Sequence, residues 1–133
     1  EQVTKEDDYL IYVESDLIWD EKALACLLED LESHDYIGAV APFSIHEPTD
    51  LFYDTWGHRK NGVRFRPHIP YHDEVMSDLT TIDSAGSCLV MRGVVARKCR
   101  FDPPEEGIVG FCQNIRSHGF SIYVDPQVRI YHP

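Results

Sequence analysis

Five consecutive apolar or aromatic residues, Tyr9 to Val13, form the first hydrophobic run of the chain. The β-branched Ile11 and Val13 within it favour a buried strand. The pattern then changes period. Ala23, Leu24, Leu27, Leu28 and Leu31 recur at helical spacing behind Asp20, a residue suited to cap a helix, and the helix is expected to stop near Ser33 and His34. A second apolar run, Tyr36 to Phe43, predicts another buried strand, ended by Pro42. Strand, helix and strand of these lengths make a βαβ unit, which predicts an α/β fold with a mixed, mostly parallel sheet flanked by helices.

Residues 44–80 lose this periodicity and read as a loop-rich insertion, the kind of segment that is usually functional or mobile. Its clear local signal is Asn61-Gly62, a hairpin turn, followed by alternating apolar and basic residues. Beyond it, residues 87–92 read as a strand and 94–99 as a short helix. Ile108, Phe111, Cys112 and Ile115 lie on one helical face, with Gly119 placed to end that helix. Residues 120–124 and 128–132 predict two short strands around an Asp125-Pro126 turn. Residues 1–8 are polar and read as a lead-in. With no repeat or internal boundary, residues 1–133 are expected to form one domain, large enough for a real core.

Charge changes the picture. Lys and Arg number 12 against 23 Asp and Glu, a formal net charge of −11, which argues against a nucleic-acid partner and for a cation. Cys26, Cys88, Cys99 and Cys112 are widely spaced beside apolar segments, and they are expected to be buried reduced thiols rather than disulfide or metal ligands. No apolar run approaches the ~20 residues of a membrane span, and no signal-peptide pattern opens the sequence. A soluble chain in the cytoplasm, or at a membrane surface, is therefore expected, with a Golgi-lumen or anchored context left open.

Glu14 and Asp16 stand at the carboxyl end of the first strand, where open α/β sheets bind ligands. With one residue between them on extended backbone, both side chains leave on the same side, ~6.5 to 7 Å apart at Cα. Carboxylates so close repel unless a cation or a set of donors lies between them, and oxygen ligands of this kind suit Mg²⁺ or Mn²⁺. On spacing alone an acidic pair of this kind is more often a solvated strand end.

The order of segments adds a resemblance. The strand, the Glu-Ser-Asp step and the amphipathic helix are followed by GSCLVMRGVV (86–95) and GFCQNIRSHGFSIYVDPQVRIYHP (110–133). This succession resembles the latter part of a GT-A glycosyltransferase domain, a Rossmann-like nucleotide-diphospho-sugar transferase. It is similar to family 2 enzymes, to fungal mannosyltransferases that build mannan, and to capsule-associated mannosyltransferases. DLFYDTWGHRKNG (50–62) also resembles a Tyr-Asp-Thr-Trp stretch of the capsule group.

The resemblance implies Mn²⁺ or Mg²⁺ as cofactor, a UDP- or GDP-linked sugar as donor, and a glycan or lipid-linked acceptor. Asp16 would bind the metal directly, Glu14 would bind it through water or hold the ribose, and His132 would be a late metal ligand. Trp56 would stack on a sugar, with Asp54 and Arg59 on hydroxyls or phosphate; equally, Trp56 could pack beneath the hairpin. The acceptor base is sought among Glu105, Glu106 and Asp83. The two glutamates could instead favour the positive end of a helix, and Asp83 could be a loop aspartate. The resemblance begins one strand before the acidic step, so the N-terminal half of the fold is expected either in a longer chain or in another chain, or else the protein is a reduced relative that no longer catalyses transfer, with self-association or a partner chain covering open sheet edges.

Two alternatives stand beside this reading. One is a non-catalytic carbohydrate-binding or partner module on the same half-fold. The other is a metal hydrolase held by His58, His68 or His72, although Pro70 between the last two disfavours the helix that would align them.

Overall fold

The structure is a computed structural model, and it describes residues 8–19, 21–54, 56–64, 78–99 and 107–133. The described elements are β1 (Tyr9–Val13), α1 (Glu21–Ser33), β2 (Ile37–His46), β3 (Leu51–Phe52), β4 (Arg59–Lys60), β5 (Val63–Arg64), β6 (Thr80–Ile82), β7 (Cys88–Arg92), α2 (Gly93–Lys98), α3 (Gly107–Ser117) and β8 (Ser121–His132). Asp20, Glu105, Glu106, His68 and His72, each given a role above, lie outside the described residues.

An open mixed sheet in the order β1-β7-β2-β8-β6 forms the centre, and β3 pairs with the far end of β2. Among these pairings only β2 with β8 is parallel; β1 with β7, β7 with β2, β2 with β3 and β8 with β6 are antiparallel. The expectation of a mostly parallel sheet is therefore corrected. The β1-α1-β2 crossover is present, but β7 lies between its two strands and runs against both. A strand buried on both faces reads as an apolar run whichever way its neighbours point, so the run in β2 could not reveal direction.

Both faces of the sheet are covered, and alternate residues serve separate cores. On one face, Val40, Val90 and Ile130 pack with Leu27 and Leu31 of α1. On the other, Ala39, Ala41, Met91 and Ile122 pack with Val95 of α2 and with Phe111 and Ile115 of α3. The two-residue period of strands and the 3.6-residue period of helices meet here as expected. The end of α3 is closed by a left-handed glycine: Gly119 (φ 89°) donates its N–H to Arg116 O, and Phe120 N–H reaches Ile115 O.

The burial of one strand and the limits of two others differ from the sequence reading. β1 is only partly buried, with Ile11 40 % exposed, because it occupies the sheet edge. β2 runs through Pro42 to His46, since the register against β8 shifts between Pro42 and Phe43, a bulge that tolerates a residue without N–H. The same bulge carries Asp125-Pro126, so β8 is one strand: Pro42 faces Asp125 and Phe43 faces Arg129. Asp125 Oδ1 accepts the Gln127 N–H at 2.9 Å within this irregularity.

Within residues 44–80, β4 and β5 form the hairpin expected at Asn61-Gly62, with φ of 55° and 80° at the turn residues. Cys88, Cys99 and Cys112 are buried free thiols, whereas Cys26 is exposed on the outer face of α1, contrary to expectation. Among the described residues no helix is long and apolar enough to cross a membrane.

Candidate metal centre and cleft

Because β1, β2 and β8 point the same way, their carboxyl ends share one edge of the domain. The chain leaving β1 is fastened there. Glu14 N–H donates to Ser87 O at 3.1 Å, Leu17 N–H closes a turn onto Glu14 O at 3.2 Å, and Ile18 exchanges backbone hydrogen bonds with Tyr131 of β8 at 2.7 and 2.9 Å. These bonds bring the acidic step against His132, the last residue of β8.

His132 Nε2 lies 3.0 Å from Asp16 Oδ2. One ligand atom each from Glu14, Asp16 and His132 lie within 4.8 Å of one another. His132 Nδ1 is 3.0 Å from the Pro133 carbonyl oxygen. With the Nδ1 proton donated there, Nε2 and the Asp16 carboxylate are two acceptors that face each other, and either a proton or a cation must lie between them. Glu14 Oε1 is buried and has no hydrogen-bond partner among the described residues. An orphaned carboxylate oxygen beside a second carboxylate and an imidazole is a donor set that fits a divalent cation. Asp16, 58 % exposed, leaves the group open to solvent and to a further ligand.

A cleft of about 420 Å³ adjoins this group, walled by Tyr12, Glu14, Tyr53, Asp54, Trp56 and Ser87. Trp56 is 53 % exposed, so it does not pack beneath the hairpin. The Arg59 guanidinium sits 5.0 Å from its ring centroid, and Arg59 Nε donates to Trp56 O at 3.2 Å. The result is a flat aromatic surface with a cation behind it.

Asp54 is used differently from the expectation of a ligand for hydroxyls or phosphate. Oδ1 accepts the Gly57 N–H at 3.1 Å and Oδ2 the Gly86 N–H at 2.6 Å, so its carboxyl ties two walls of the cleft together. Burial pushes it up to about 7, against the opposing pull of these amide bonds. A Cβ on Gly86 would come within 2.5 Å of Asp54 Oδ1, and one on Gly57 within 2.8 Å, so both positions require glycine.

The remaining candidates fall elsewhere. Asp83 turns Oδ2 to the Gly62 N–H at 2.7 Å, and its carbonyl accepts from Arg116 Nε at 3.0 Å, which makes it the anchor of the β4–β5 hairpin. His58 is buried against the rings of Phe52 and Phe43, at 5.4 and 6.4 Å between centroids, and burial pushes it down to about 4. An imidazole enclosed in that way is part of the core, which removes a described member from the hydrolase alternative.

Tyr53, Tyr12 and Ser87 were not singled out from sequence. Tyr53 falls inside a stretch that carries the resemblance, but its neighbours at the site are set by how β3 folds back on β2. No protein-family model matches the chain, and no curated protein matches it, so the reading of this site rests on its own geometry.

Proposed function

We propose that this chain is the metal-binding, sugar-transferring part of a GT-A-like glycosyltransferase that takes a UDP- or GDP-linked sugar and transfers it to a glycan or lipid-linked acceptor. The observation that carries this reading is the convergence of Glu14, Asp16 and His132, from opposite ends of the sequence, at the carboxyl ends of parallel strands beside a cleft. Glu14, Asp16 and His132 would hold Mn²⁺ or Mg²⁺. Bound there, the ion supplies charge neutralisation for the departing diphosphate.

The chain's own residues then divide the work. The exposed face of Trp56 offers a stacking surface for a sugar ring, with Arg59 behind it. Asp54 keeps the wall bearing Trp56 fixed against the loop whose Ser87 carbonyl holds Glu14. Ile108, in the first turn of α3, also reaches the cleft. Glu105 and Glu106 directly precede that turn in sequence and are the candidates to take the acceptor hydroxyl proton.

The exposed Trp56 also suits a carbohydrate-binding module without catalysis. Incubation with UDP- and GDP-linked hexoses, with and without EDTA, tests the choice by release of nucleoside diphosphate. Release that EDTA abolishes supports the transferase. Sugar binding with no release, at any metal concentration, supports the binding module.

A further inference from the structure

Tyr53 lies flat on His132: the ring centroids are 3.9 Å apart and the planes differ by 11°. Its place follows from the end of β2. There Ile45 pairs with Phe52 and His46 with Leu51 on one side, while His46 faces His132 of β8 on the other. Tyr53 N–H donates to Ser44 O at 2.8 Å, so the backbone that carries the phenol is fixed to β2, the strand that pairs in register with the end of β8 that carries His132.

The imidazole of a residue at a strand end can turn about two side-chain torsions, and either rotation would carry Nε2 away from the acidic pair. Two contacts oppose this. The Pro133 carbonyl takes Nδ1, and the Tyr53 ring covers one face. We propose that Tyr53 is a positioning residue of the metal centre, holding the His132 ring in the plane that directs Nε2 toward Asp16 and Glu14. The proposal rests on the metal reading above and extends it to a residue that contributes no ligand atom. Residues that orient a metal-bound imidazole change affinity by roughly 10- to 100-fold when removed. Stacking needs an aromatic face and not the hydroxyl, so phenylalanine should serve in place of tyrosine and leucine should not.

The test uses the intact chain as wild type, Tyr53→Phe and Tyr53→Leu, with two readouts. In metal-free protein, the His132 ring protons are expected to show an upfield ring-current displacement by NMR in wild type and Tyr53→Phe, and to lose it in Tyr53→Leu. By calorimetry, Mn²⁺ affinity should stay within about twofold in Tyr53→Phe and fall about 10-fold in Tyr53→Leu, while the thermal midpoint, which reports a merely structural role, remains unchanged. Wild-type affinity in Tyr53→Leu, or no ring-current displacement in wild type, overturns the positioning role while leaving the metal centre intact. Absence of Mn²⁺ binding in wild type overturns both.

Discussion

Asp16 and His132 stand 116 positions apart in sequence (132 − 16), yet their side chains approach to 3.0 Å. Backbone pairing of Ile18 with Tyr131 ties the acidic step to the end of β8 and fixes that approach. A cation bound there would bridge the first strand of the domain to its last.

Glu14 supplies a buried oxygen, Oε1, with no hydrogen-bond partner among the described residues, an acceptor position that a bound cation would fill. Glu14→Gln should leave metal-free stability unchanged or slightly higher and should weaken metal binding at least 10-fold. Thermal unfolding with Mn²⁺ reads both effects. At 100 times Kd the ion is expected to stabilise wild type by about 2.7 kcal/mol, and at the same concentration to give Glu14→Gln about 1.4 kcal/mol or less.

The Asp54 carboxyl leaves no room for a side chain at Gly86. Gly86→Ala should destabilise the domain by about 1 to 3 kcal/mol through overpacking. Asp54→Asn, which exchanges one acceptor oxygen for a donor, should cost about 1 to 3 kcal/mol by leaving a buried amide unpaired. Urea unfolding checks both. Because both changes act on one contact, the double variant should cost clearly less than the sum of the two.

His58 sets an acid limit. Burial lowers its ionisation from 6.5 to about 4, so the folded state keeps it neutral where the unfolded chain takes a proton. Its contribution is complete above pH 6.5 and is lost as pH falls from 6.5 toward 4, by about 3 kcal/mol in all. Urea unfolding of wild type and His58→Gln at pH 7 and pH 4.5 should show a smaller acid loss in the variant. Equal losses would place the acid sensitivity elsewhere.

The edge strand β1 presents Ile11 at 40 % exposure, and Ile18 and Trp19 are exposed nearby at 45 % and 44 %. Among the described residues β1 is the outermost strand on its side of the sheet, and such an edge beside apolar side chains favours association with a second copy or a partner. Light scattering should show concentration-dependent self-association of the chain, and Ile11→Lys should reduce it without loss of secondary structure. A monomer at all concentrations would count against this.

Local features were legible in the sequence and distant ones were not. Asn61-Gly62 makes its turn because both residues accept positive φ, and Gly119 ends α3 for the same reason. The apolar face of α1 follows its 3.6-residue period, with Ala23, Leu27 and Leu31 buried. Insertion of β7 between β1 and β2 left no local mark, because direction is decided by pairing between residues some 50 to 80 positions apart. Asp54 could be recognised as a cleft residue, but its occupation by Gly86, 32 positions later, could not. The acidic pair suggested a cation by charge, whereas His132 entered only through a resemblance of motif order. Tyr53 on His132 depends on two strands flanking β2, which no spacing rule encodes.

The most direct test is Mn²⁺ calorimetry, with and without UDP or GDP, on wild type, Asp16→Ala and His132→Ala. The account predicts a single site in wild type, tighter with nucleotide, and loss of binding in both variants. Wild-type affinity in either variant, or no binding by wild type with either nucleotide present, would contradict a metal centre shared by Asp16 and His132.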